Sequence, residues 1–236
     1  MTAKFYGVGV GPGDAELMTL KAKRVLEEAD IICAPKSAVG KESVALSIVE
    51  EILGEELNIK DLIFPMTHDQ DKLTKFWDQA AEEIKEELEA GLKVAFITIG
   101  DPLLYSTYIY VLKRLEGLDF EIETVPGINS YSACAAAMNR PLAEKEETLA
   151  IIPAAYECEE LAEILSNFDN TVLMKVAPNF DEIVEKLTKA GIKENSFYAS
   201  RCGQEEEFLT TDFDSLAGEE LDYLSMVITK QKFKEE

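Results

Sequence analysis

The sequence predicts an α/β protein of two domains, the first on a mostly parallel sheet with helices on both faces, the second on a mixed sheet. Three observations lead there. In the first half, short β-branched and aromatic runs alternate with amphipathic helical stretches, as strand–helix–strand units do. The run KVAFITI at 93–99 is almost wholly apolar, as a strand buried on both faces of a parallel sheet must be. In the last third, SFYASR, EEFLTT and DYLSMVITKQ crowd together, which favours mixed or antiparallel pairing. The polar segment NRPLAEKEE separates the halves, so the domains are expected at 1–139 and 140–236.

Each element has its own signal. KFYGVGV at 4–10 is a first strand running into the turn Gly11-Pro12-Gly13-Asp14. Thr19 is placed to N-cap a helix whose apolar face is Leu20, Ala22, Val25 and Leu26. Ile31 to Ala34 is a strand closed by Pro35, ESVALSIVEEIL a helix ended by Gly54, and Leu62 to Phe64 a strand stopped by Pro65. From Asp69 to Ala90, Leu73, Phe76, Trp77, Ala80, Ala81, Ile84 and Leu88 recur at helical spacing until Gly91. Trp77 on that stripe belongs to the core. KVAFITI is halted by Gly100-Asp101-Pro102, because glycine opens a conformation closed to other residues and proline denies a ladder donor. Asp101 is thereby left at the carboxyl end of a central strand, where open α/β sheets bind ligands. A helix through YIYVLKRLE, a strand from Phe120 to Val125 and the small-residue helix NSYSACAAAMN complete the first half. The second half begins with a strand, Leu149 to Ile152, followed by Pro153-Ala154. A helix from Cys158 to Leu165, the strand TVLMKV and the helix DEIVEKLTKAG lead to the three closing strands.

Composition removes several function classes. Of 236 residues, 46 are acidic and 23 basic, a net charge of −23 that disfavours nucleic acid and anionic membrane as partners. No apolar run approaches the roughly 20 residues that span a bilayer, and no secretory signal is visible, so a cytoplasmic location is expected. Cys33, Cys134, Cys158 and Cys202 include no Cys-x-x-Cys pair, and His68, in a polar connector, is the only histidine. No metal site is expected from such a set. The glycines of GVGVGPGD do not fit G-x-G-x-x-G. Counted from Gly9 the third falls at Asp14, and counted from Gly7 it falls at Pro12. Pro12 removes an N–H donor and Asp14 adds a negative charge, which makes the loop a poor phosphate cradle. A carboxylate acceptor such as Asp101 instead suits ribose hydroxyls or an ammonium group.

Taken together, YGVGVGPGDAELMTLKAKRVLEEADII at 6–32, GDPLLYSTYIYVLKRL at 100–115 and PGINSYSACAAAMNRPLAEKEETLAIIPA at 126–154 resemble the tetrapyrrole (corrin/porphyrin) methyltransferase family. TVLMK at 171–175 and SRCGQEEE at 200–207 extend the likeness over nearly the whole chain. Within the family, GDPLLYST before a tyrosine-rich helix is most similar to the C20 methyltransferases of cobalamin biosynthesis. The resemblance implies two α/β domains with a cleft between them, a homodimer, and S-adenosyl-L-methionine as methyl donor, released as S-adenosyl-L-homocysteine. It implies donor contacts at Gly100, Asp101, Leu104, Pro126, Gly127, Asn129, Ser130 and Met174, with Ala154, Ser225 and Met226 as further ones. Gly11, Pro12, Gly13 and Asp14 would face the tetrapyrrole, cobalt-factor II or precorrin-2, and any cobalt would arrive inside that substrate. Arg24, Lys36, Arg140 and Arg201, each beside a motif loop, are candidates to meet its carboxylates. The C20 proton could leave to Tyr105, Tyr108 or Asp101, and the residues leave that choice open. Methyl transfer to another corrin carbon, and a non-catalytic nucleotide- or tetrapyrrole-binding module on the same fold, are the alternatives.

Overall fold

Strands β1 (Lys4–Gly9), β2 (Ile31–Lys36), β3 (Ile59–Ile63), β4 (Lys93–Thr98) and β5 (Glu121–Val125) pair in the order β3-β2-β4-β1-β5, every pair parallel. Parallel neighbours need crossover connections, here helices α1 (Leu20–Glu28), α2 (Val44–Leu53), α3 (Gln70–Glu89) and α4 (Tyr108–Leu115). Alternation along the strands decides which helices each residue meets. Val8, Ala95 and Ile97 pack with Ala22, Leu26 and Val49 of α1 and α2, while Phe5, Val94 and Phe96 pack with Ile84, Leu88, Tyr108 and Val111 of α3 and α4. With both faces covered, β4 carries no polar side chain between Lys93 and Thr98. The computed structural model describes residues 3–154 and 160–231, which divide into two units, Met1–Asn129 and Ser130–Glu236.

The expected cap at Thr19 forms, and Asp69 caps α3 in the same way. Thr19 Oγ1 accepts from Ala22 N at 3.1 Å, and Asp69 Oδ1 accepts from Lys72 N at 3.1 Å. Trp77 is buried, its ring stacked on Tyr110 at 3.9 Å between centroids. Two expectations need correction. Leu20 is 87% exposed, because helical rotation gathers Ala22, Val25 and Leu26 on one side and carries Leu20 to the other. Pro35 does not end β2; it pairs with Leu62 of β3. The proline is tolerated because the β4 side of β2 is paired only through Cys33, so its missing donor faces no partner strand.

In the second unit, β6 (Leu149–Pro153), β7 (Asn170–Met174), β8 (Ser196–Ser200), β9 (Phe208–Thr210) and β10 (Ser225–Lys230) pair in the order β6-β7-β10-β8-β9. β6 and β7 are parallel and the other pairs antiparallel, the mixed sheet the sequence predicts. Helix α5 (Ser130–Ala137) covers one face, burying Cys134 against Val172, Phe197, Ala199 and Met226. Helices α6 (Leu161–Asn167) and α7 (Phe180–Ala190) cover the other with Leu161, Leu165, Ile183 and Leu187. Because α5 packs on this sheet, the division between units falls before Ser130, ahead of the expected boundary after Asn139. The expected helix start at Cys158 lies outside the described residues, and α6 is seen from Leu161.

Candidate active site

The three adjacent strands β4, β1 and β5 end together, and each runs out through a glycine. A Cβ on Gly9 would lie 2.6 Å from the Gly100 carbonyl oxygen and 2.6 Å from Gly127 N. A Cβ on Gly127 would lie 2.0 Å from that same carbonyl oxygen. Backbone fills the space a side chain would need. Val10 N donates to Thr98 O at 3.0 Å and Gly100 N donates to Gly11 O at 2.7 Å, tying the exit of β1 to the exit of β4. Gly11 and Gly100 both take the left-handed region, at φ of 90° and 70°.

Asp101 joins two of these loops. Its Oδ1 accepts from Leu103 N at 2.9 Å and its Oδ2 accepts from Gly127 N at 3.1 Å. The carboxylate anticipated for a ligand thus first clips the β4 loop to the β5 loop. Each carboxylate oxygen retains a second lone pair, so Asp101, half-buried, can still accept from a ligand. Below it, Thr98 Oγ1 and Ser106 Oγ meet at 3.0 Å in the interior, and Ser106 Oγ accepts from Tyr108 N at 3.1 Å. Above it, Leu103 and Tyr105 are exposed and Leu104 is half-buried. Tyr105 holds a left-handed φ of 50°, at a cost of about 1–2 kcal/mol, and burial pushes its phenol upward. Tyr108 takes a different part from the one anticipated. It is fully buried, its ring fills the space beside Gly7, and its hydroxyl lies 2.7 Å from Thr124 Oγ1. Burial raises its pKa, and with no exposed surface it serves the core.

In the first loop Gly11, Pro12 and Gly13 are buried, and half-buried Asp14 caps the short turn Ala15–Leu17 by accepting from Glu16 N at 2.8 Å. Pro126 is exposed and Asn129 half-buried. Arg24 is exposed, while Lys36 is held by Asp61 at 2.7 Å. The first unit therefore brings GVGPGD, GDPLL and the start of PGINS to one end of its sheet, and leaves Arg24 on the outer side of α1.

The second unit makes its own gathering. Ser130 opens α5, and Met174 ends β7, half-buried and opposite buried Met226 in register. Buried Ala154 donates from its N to Met174 O at 2.7 Å, and buried Ser225 begins β10. Arg201 follows β8 and pairs with Asp222 at 2.7 Å and Glu206 at 3.1 Å. Arg140 is exposed beyond α5. Ala154, Met174, Arg201, Ser225 and Met226 thus meet at one end of the second sheet, whereas Arg140 does not. The sequence reading missed Thr98 and Ser106, which carry no spacing signal. It also missed Lys175, which directly follows Met174.

Residues 4–217 match the family described as Tetrapyrrole (Corrin/Porphyrin) Methylases. The chain belongs to this family. Among the relatives of this tetrapyrrole methylase is the cobalt-precorrin-2 C(20)-methyltransferase of Salmonella typhimurium, 40% identical over 86% of this chain and 85% of that one. A probable cobalt-precorrin-2 C(20)-methyltransferase of Methanocaldococcus jannaschii is 39% identical over 98% and 97% of the two chains. A precorrin-2 C(20)-methyltransferase of Sinorhizobium sp is 32% identical over 95% and 94%. The fold is shared with a cobalt precorrin-4 methyltransferase, at a TM-score of 0.74 and 20% identity over 97% and 95% of the chains. It is also shared with a uroporphyrin-III C-methyl transferase of Thermus thermophilus solved in complex with S-adenyl homocysteine, at a TM-score of 0.69 and 18% identity over 96% and 97%.

Proposed function

We propose that this tetrapyrrole methylase is an S-adenosylmethionine-dependent C-methyltransferase that methylates C20 of precorrin-2 or cobalt-factor II in cobalamin biosynthesis. The observation that carries the reading is the convergence of GVGPGD, GDPLL and the start of PGINS at the ends of β1, β4 and β5. Relatives named for that reaction at 32–40% identity support the choice of carbon.

The residues fit the donor. Its polar parts are ribose hydroxyls, an ammonium, a carboxylate and a sulfonium, with no phosphate to demand a nest of N–H groups. Asp101 retains acceptor lone pairs for hydroxyls or an ammonium, and Leu103 and Leu104 offer apolar surface beside it. Gly100, Asp101, Leu104, Pro126, Gly127 and Asn129 would hold it at the end of the first sheet. S-adenosylmethionine supplies an electrophilic methyl group when bound. The chain's part is to fix the acceptor carbon in line with that group, which is worth up to about 7–11 kcal/mol of barrier. The rigid glycine contacts suit such positioning, since no loop can shift without moving its neighbour. Leu103, Leu104 and Tyr105 would exclude water from a reaction that disperses charge. The C20 proton is taken by Tyr105, by Asp101 or by the substrate's own groups.

Anaerobic incubation with isotope-labelled donor and either macrocycle, metal-free and cobalt-containing in parallel, tests the reading by mass and by NMR position of the label. A single labelled methyl at C20 is expected. No methyl gain on either substrate would refute it. The same reading carries a homodimer, which sedimentation of the full chain checks.

A further inference from the structure

We propose that Lys175 is an anion contact, taking a ligand carboxylate at the end of the second sheet; the inference rests on the methyltransferase reading above. Lys175 follows β7 and donates from its N to Ser225 O at 2.7 Å; Arg201 follows β8 and donates from its N to Leu224 O at 3.0 Å. The two cations therefore flank the start of β10, roughly 10 Å apart at the spacing of neighbouring strands. Both sit in the left-handed region, at φ of 61° and 48°. Non-glycine residues are uncommon there, and such strain gathers where side chains are held for use.

Their charges differ in fate. Asp222 closes the turn between them, with Oδ1 accepting from Leu224 N at 2.7 Å and Oδ2 accepting from Arg201 Nε at 2.7 Å. Glu206 meets Arg201 from the other side at 3.1 Å, so that guanidinium is already opposed by two carboxylates. The Lys175 ammonium stands 5.4 Å from the centroid of the Tyr223 ring, and no described carboxylate forms an ion pair with it. In a chain with twice as many acids as bases, that is an unspent positive charge. A ring face orients an ammonium without cancelling it. Half-buried beside Met174, Lys175 has the placement and the free charge to bind a carboxylate. Two ligands of the reaction carry that group, the macrocycle through its acid side chains and the donor through its methionine part.

The test compares the full wild-type chain with Lys175→Met, which keeps the apolar stem and removes the charge, and with Lys175→Arg. Each is titrated with an octacarboxylate porphyrin by fluorescence quenching and with S-adenosylhomocysteine by calorimetry. Loss of a charge-assisted contact predicts about tenfold weaker binding of one probe by Lys175→Met, restored by Lys175→Arg. The weakened probe names the source of the carboxylate. Equal affinity of wild type and Lys175→Met for both probes overturns the proposal and leaves the methyltransferase reading standing. Wild type binding neither probe overturns both. Urea midpoints establish that the variants are folded, and Lys175→Gln repeats the comparison if the methionine variant is not.

Discussion

A carboxylate that accepts two backbone N–H groups is in place before any ligand arrives, and Asp101 is such a group. In Asp101→Asn the side-chain NH2 must face one of those donors, so a bond is lost and a like dipole opposed. Stability should fall by about 1–2 kcal/mol and kcat/KM for methyl transfer by more than tenfold, read by urea unfolding and steady-state rates; unchanged rates would show that the clip is incidental. Gly127→Ala is the harsher change, since its Cβ would sit 2.0 Å from the Gly100 carbonyl oxygen, where backbone must move. About 3 kcal/mol is expected, and a stable variant with the wild-type urea midpoint would contradict this packing. The sequence located Asp101 at a strand end but assigned its carboxylate to a ligand alone. The partner that changes the picture, Gly127 N, lies 26 residues further on, and no local pattern announces such a pairing.

Among the elements, legibility followed burial. Helix α3 was readable because its stripe meets β4, and β4 because both its faces are covered. Thr19 was readable as a cap because capping is chemistry within four residues. Pro35 was misread because strand pairing is decided by distant partners. The edge strand β5 offers a test of electrostatics at this scale. Glu123 meets Lys4 at 2.7 Å and Lys21 at 2.6 Å, joining β5 to β1 and α1. Lys21 first, then Lys4, holds its carboxyl down to about 2 from an ordinary 4.5. A depressed carboxylate stabilises the fold above its unfolded pKa and loses that contribution as pH falls through the folded value. Glu123→Gln should therefore lower stability at pH 7 by about 0.5–1 kcal/mol after screening. The difference should shrink between about pH 4.5 and 2 and vanish below. A gap that persists at the acid end would exclude the ion pairs as its cause.

For the whole molecule, the family was legible because motif order survives where single strings are ambiguous. The position of each ligand contact was not, since it depends on which loops fold onto which. Net charge adds a consequence. A chain at −23 repels a polycarboxylate substrate at long range, so modest salt should speed their encounter. Raising salt from about 0.02 to 0.2 M, where the Debye length shortens to less than a third, should increase kcat/KM for the macrocycle severalfold. A steep fall instead would reveal a dominant local basic patch. The most direct measurement is a crystal structure of the chain with S-adenosylhomocysteine. The adenosyl group is expected against Gly100 to Leu104 and Gly127, with a ligand hydroxyl or ammonium on Asp101; density for the ligand lodged away from these strand ends would contradict this placement.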